Sequence, residues 1–239
     1  MAQGIWNGAV PRLTWHDRPL CLVVSIVVAC VLMESAISAS EAPLMPLESS
    51  AAEAQEPITP IPLSLALDPS RVALGERLFH DVRLSHDNTR ACTTCHPLQR
   101  GGMDGRARAI TATGILHPRN TPTVFNVGLN ATFNWDGIAH TLEAHAERDL
   151  LHPNLMHTTW PELLAKLQAD ADYVACFNTV YAGGLTPATV LDALASFERS
   201  LLTPNARFDR YLRGEQQALT APEQQGYRLF KSYGCVACH

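Results

Sequence analysis

The sequence has no apolar stretch of the roughly 20 residues that a membrane-spanning helix needs. Its longest such run, Leu20–Met33, reaches fourteen. It has no basic footprint either: the formal net charge is -5, and Lys and Arg are scattered rather than clustered. Nucleic acid is therefore set aside as a partner. No segment alternates apolar and polar residues in the manner of a half-buried strand, so no sheet is expected. A hydrophobic content of 46% over 239 residues excludes a wholly disordered chain and allows one large or two small domains.

What is present at the N-terminus has the grammar of an export signal. Arg12 and Arg18 precede the apolar run, and small residues at Ala36–Ser40 follow it. Residues 1–40 are read as a removed signal, with an uncleaved anchor as the alternative and lipidation at Cys30 disfavoured because apolar residues continue through Met33. Export implies an oxidising compartment, where an unpaired cysteine is uncommon. Of seven cysteines, Cys21 and Cys30 leave with the signal, and four fall into two Cys-x-x-Cys-His motifs, Cys92–His96 and Cys235–His239. Cys176 is left alone and reads as a small buried residue in a helix.

Residues 41–67 are rich in Pro, Ala, Ser and Glu without a hydrophobic period, as in a flexible leader. Asp68-Pro69 then opens a helix carrying Val72, Leu74, Leu78 and Phe79. Gly101 to Gly137 is punctuated by Gly, Pro, Asn and Thr and predicts a long loop, which in a compact domain is usually functional. Helices are predicted over Thr141–Leu151, Trp160–Asp170 with a Thr159/Glu162 capping box, and Tyr173–Tyr181. Thr186–Leu202 follows, with Val190, Leu191, Leu194, Phe197 and Leu201 on one face, and Thr220/Glu223 cap a last helix to Lys231. The fold class is mostly α.

In Cys-x-x-Cys-His the two thiols lie about one helical turn apart and can each add to a haem vinyl group, while the histidine serves as proximal axial ligand. A single copy could also be a redox dithiol or half a zinc site. Two copies more than a hundred residues apart, each ending in His, favour covalent haem at both. Cys92, Cys95, Cys235 and Cys238 are then the attachment points, and His96 and His239 the iron ligands. Of the remaining histidines, His80 and His86 read as ordinary. Among His117, His140, His145, His152 and His157, one or two at most should face a haem. Trp135, in Phe133–Gly137, taken alone reads as core.

From about Leu74 to His239 the chain resembles the bacterial di-haem cytochrome c peroxidase and MauG-like group. The matching pieces are Leu74–Phe79, Arg83-Leu84-Ser85, the first haem motif, Gly101–Asp104, Pro118–Asn126, Trp135-Asp136-Gly137, Ala195–Leu201, Phe208–Leu212 and the second haem motif. The resemblance implies two cytochrome-c-like haem domains: 68–215, and a second that begins at 216–239 and is truncated at His239, so the chain is read as a fragment. It implies a periplasmic oxidoreductase that reduces hydrogen peroxide to water. A high-potential haem at the C-terminal motif would accept electrons from a small cytochrome c or copper protein. Trp135 would relay them to the peroxide-reacting haem at His96, and Asn120 matches a ligand of an inter-domain calcium ion. A homodimer is compatible with it.

Several departures stand beside the match. The histidine that occludes the resting peroxidatic haem in many members falls at Ala112, the distal glutamate at Leu155, just before Met156, and the distal glutamine at His145. His145 is therefore the distal acid–base candidate, sharing a helix face with Thr141, Leu142 and Asp149. Histidine suits such a task because its ordinary pKa lies near neutrality. A non-catalytic di-haem electron carrier and a MauG-like oxidase of a protein partner are the alternative functions.

Overall fold

The structure is a computed structural model that describes residues 56–238. The export signal at 1–40, the first part of the leader and His239 lie outside the described residues. Within them the secondary structure is eight α-helices, short 3-10 turns and two isolated bridges, with no strand. The mostly α class is thus what the protein adopts.

Helix α1, Pro69–Phe79, starts where predicted: the Asp68 carboxylate accepts from the Ser70 and Arg71 backbone N–H groups, and Pro69 needs no donor in the first turn. Helix α2, Cys92–Cys95, is a single turn. After the long loop come α3, Leu142–Leu151, capped by Thr141, and α4, Trp160–Gln168, capped by Thr159. Helix α5 spans Ala171–Val180, α6 Pro187–Ser200, α7 Arg207–Leu212 and α8 Ala221–Ser232.

Helix α4 stops two residues short of its predicted end because Asp170 is taken by the next helix, accepting from Asp172 and Tyr173 N–H. Half of its predicted capping box forms. Thr159 accepts from Glu162 N–H, while the Glu162 carboxylate turns to His86 at 3.0 Å and Lys166 at 2.6 Å. At α8 Glu223 does reach back, accepting from Thr220 N–H at 2.7 Å.

The core forms where α1 crosses α6. Leu74, Leu78 and Phe79 bury one stripe of α1 against Val190, Ala193, Leu194 and Phe197, with the Phe79 and Phe197 rings 5.2 Å apart. Fully buried Leu and Phe side chains contribute about 1.5–3 kcal/mol each. The crossing is close because Gly75 has no side chain: a Cβ there would lie 1.9 Å from the Ala193 carbonyl oxygen and 2.8 Å from the Phe197 Cβ. Gly75→Ala gains about 1 kcal/mol of helix propensity, but the clash is with backbone and costs about 1–3 kcal/mol or more. Thermal denaturation should therefore show a lowered Tm, and an unchanged or raised Tm would contradict this packing.

Two connections orient the haem-motif turn. Asp81 accepts from the Arg83 guanidinium at 2.7 Å and from the Tyr173 hydroxyl at 2.8 Å, and Arg77 lies 3.8 Å over the Tyr173 ring. This ties the end of α1 to α5. Ser85, 1% exposed, then folds the chain toward Cys92: its hydroxyl donates to Val82 O and accepts from the Thr89 and Arg90 N–H groups.

Residues 56–67 contain no helix or strand, in keeping with their composition, but they are not free of the domain. Ile61 N–H donates to Asp209, Arg213 donates to Ile61 O, and Glu56 accepts from Tyr227 and Lys231. The described end of the leader is thus pinned across α7 and α8. Cys176 is buried in α5, where its reading as a small buried residue in a helix puts it, and it is not a lone thiol.

Candidate haem site

The first motif presents both sulfurs on one turn. Cys92 and Cys95 are free and half-buried, and burial pushes both thiols up, Glu198 and Asp149 adding to the effect at Cys92. The sulfurs are neutral and stand in for the thioether sulfurs of an attached haem. The His96 Nδ1–H donates to the Gly102 carbonyl oxygen at 3.0 Å. That bond fixes the tautomer and leaves the Nε2 lone pair for a metal. Burial lowers the His96 pKa, more strongly than the Gly102 carbonyl raises it, so the ring is neutral, the form that ligates. Gly102 can approach because it takes φ +67 and because a Cβ there would meet Val124 at 2.9 Å. The donor set therefore fits a covalently held haem at Cys92, Cys95 and His96. Beside Cys95 opens a cavity of about 700 Å³ lined by Arg90, Arg100 and Arg106, cations of the kind that suit haem propionates.

His145 is brought toward this site. It sits on α3 with its side chain 19% exposed, and its charge would act on His96. Its ring stacks on Phe133, Nδ1 lies 3.3 Å from Asn134 Oδ1, and Nε2 lies 3.7 Å from Asp149 Oδ2. The ring is thus turned into the domain rather than out to solvent. Asn134 holds its position in a left-handed conformation at φ 64, which asparagine tolerates well. Leu155 is half-buried, and Ala112 donates its N–H to Asn154 O at 2.9 Å. His117 is held by its own turn, with Nδ1 3.3 Å from the Arg119 carbonyl.

Trp135 lies at the tip of a turn closed by the Phe133–Ala139 bridge and is 58% exposed among the described residues, so it is not core. Its indole N–H donates to the Asn120 carbonyl at 3.0 Å, and Asp136 pairs with Arg119 at 3.1 Å. These bonds clamp Pro118–Asn120 to Trp135–Gly137. The Asn120 side chain donates to Thr121 O. No group of three or more His, Cys, Asp or Glu that could hold a metal ion occurs among the described residues, and Asp136 is engaged by Arg119.

Of the second motif, Cys235 is half-buried in a 3-10 turn and Cys238 is exposed. The Gly102 carbonyl, Asn134 and Glu198 were not singled out from the sequence. Glu198 had a signal: it lies four residues after Leu194 and seven after Leu191, on the apolar face of α6. The other two depend on loop conformations that no periodicity announces.

Comparison with known proteins follows the same residues. Over 185 residues, 77% of this chain and 40% of the relative, the sequence is 44% identical to cytochrome c peroxidase Ccp of Escherichia coli. It is 37% identical over 184 residues to methylamine utilization protein MauG of Methylorubrum extorquens, covering 75% of this chain and 52% of that one. Cytochrome c551 peroxidase of Nitrosomonas europaea is 37% identical over 188 residues, 78% of this chain and 56% of the relative. The chain spans about half the length of the curated relatives it matches. Among solved structures, a MauG-like protein associated with microbial copper homeostasis superposes with a TM-score of 0.63 at 33% identity, over 72% of this chain and 52% of that chain. Residues 69–217, which include the attachment turn at Cys92–His96 and the whole loop that fixes its histidine, match the family profile, and the chain belongs to the di-haem cytochrome c peroxidase family.

Proposed function

We propose that the protein is a periplasmic di-haem peroxidase that carries haem c covalently at Cys92/Cys95 and at Cys235/Cys238 and reduces hydrogen peroxide with electrons from a small cytochrome c or copper protein. The observation that carries this reading is the pair of histidines at the first motif. His96 is neutral with Nε2 free, and His145 is oriented nearby by Asn134 and Asp149. Bound at His96, haem would supply the iron at which the O–O bond is reduced. The chain's own part is positioning and proton handling. Gly102 holds His96 in one orientation. Asn134 Oδ1 accepts from Nδ1–H of His145, which leaves Nε2 as the atom that takes a proton from peroxide and returns it to the departing oxygen. Asp149, 3.7 Å away, stabilises the imidazolium between those two transfers.

Trp135 remains the proposed electron relay, its indole held by the Asn120 carbonyl. Periplasmic location rests on the signal-like Leu20–Met33 run; among the described residues no helix is long and apolar enough to cross a membrane. Leu155, where the family's glutamate is missing, favours a second reading, a di-haem electron carrier without peroxidase activity. A carrier needs both irons six-coordinate, whereas a peroxidase needs one open position, and Ala112 offers no side chain that could ligate. The ferric protein should therefore show one high-spin haem and react with peroxide without prior partial reduction. Two low-spin, bis-liganded haems that ignore peroxide would sink the peroxidase reading and leave the carrier.

A further inference from the structure

Glu198 has no part in the mechanism above, yet it is a buried carboxyl whose charge acts on the haem-attachment residue Cys92. It is 9% exposed on α6, and its Oε2 has no hydrogen-bond partner. A carboxyl buried for packing alone normally has both oxygens satisfied, because each unsatisfied buried polar atom is costly. The charged groups acting on it are Asp149 and Glu143 from α3 and Arg199 from its own helix. Arg199, the cation of that set, is already engaged by Glu143 at 2.8 Å. No charged group of α1 or of the Val127–Leu129 turn, the other elements packed on α6, acts on it. Its charge also acts on Cys92 of α2, whose thiol it helps to push up.

We propose that Glu198 is a redox-linked proton acceptor of the first haem: it takes up a proton when the iron held by His96 gains an electron and releases it when that electron leaves. The inference rests on the haem reading of Cys92–His96 and does not need peroxide to be the substrate. The step balances simply. One electron from an external one-electron donor converts ferric to ferrous iron, and one solvent proton converts the Glu198 carboxylate to the neutral acid. The charge added near Cys92 is neutralised at a buried carboxyl oxygen that lacks a partner, where low local dielectric makes the two charges interact strongly.

Burial first, and then Asp149, hold the Glu198 carboxyl up at about 8. Reduction adds negative charge and raises it further. Below about pH 8 the group is protonated in both redox states, so the potential is flat. Above it, reduction brings a proton with it and the potential falls as pH rises.

The test is spectroelectrochemical titration of the haem-loaded protein, without peroxide, from roughly pH 6 to 10. In the native protein the reduced-to-oxidised ratio of one haem at fixed potential should fall by up to tenfold per pH unit above the onset, about 59 mV for a one-electron couple. Glu198→Gln, which keeps the shape and removes the proton site, should lose that fall, any contribution of the other haem being common to both proteins. Asp149→Asn, which removes a repelling charge, should move the onset to lower pH, and this variant decides the matter if Glu198→Gln does not fold. An unchanged slope in the first variant, or an unchanged onset in the second, overturns the proposal. Loss of the fall in a protein that proves inert to peroxide would uphold it while defeating the peroxidase reading.

Discussion

Replacing Cys92 and Cys95 together by alanine should remove one haem's worth of absorbance from the protein produced in a host with haem-ligation machinery. The two residues open and close the single turn α2, and residues three apart on a helix stand side by side. Both sulfurs can therefore reach the same porphyrin, and His96 follows directly with its Nδ1 tied to Gly102 O. In the native protein the haem should resist acid-acetone extraction and stain in a denaturing gel, because the bond is covalent. In the double variant the stain should persist through Cys235 and Cys238, with the haem-to-protein ratio halved. An unchanged ratio would show that the first motif carries no haem, and the site assignment at His96 would fall with it.

The elements that frame this site were legible because each has a local cause. Asp68-Pro69 and Thr186-Pro187 start α1 and α6 through cap bonds made within three residues. The stripe of Leu74, Leu78, Val190, Leu194 and Phe197 is the helical period itself. What stayed hidden depends on partners far apart in sequence. Glu56 meets Tyr227 and Lys231 across 171 and 175 residues, so a segment whose composition suggests a free leader is held in place. Gly102 reaches His96 because the loop turns at two successive glycines of positive φ, a geometry invisible to periodicity. Glu198 lies between these cases. Its position on the apolar face of α6 was readable, but the missing partner at Oε2 appears only when α3 is packed against it.

His145→Ala should lower peroxide-dependent oxidation of a reduced small cytochrome on the order of a hundredfold or more while haem content stays normal. The expectation follows from where the side chain is held. Stacked on Phe133, with Nδ1 at Asn134 and Nε2 toward Asp149, the ring is fixed on three sides, and its charge registers at His96. General acid–base help at such a position contributes typically 10²–10⁴-fold, and Leu155 supplies no carboxylate to share the work. His145→Gln, which restores the side chain of the family's pattern, can donate and accept a hydrogen bond but cannot carry the proton as an imidazolium. It should therefore keep the haem environment, read by the ferric spectrum, while recovering only part of the rate. His86→Ala serves as the comparison, since His86 pairs with Glu162 of α4, has no part in the mechanism proposed for His145 and should leave turnover unchanged. The pH profile separates chemistry from packing. Loss of a proton-transferring imidazole should change the form of the pH–rate profile, whereas a packing defect lowers the whole curve without changing its form. Unchanged turnover in His145→Ala would remove this residue from the mechanism and leave the family assignment intact.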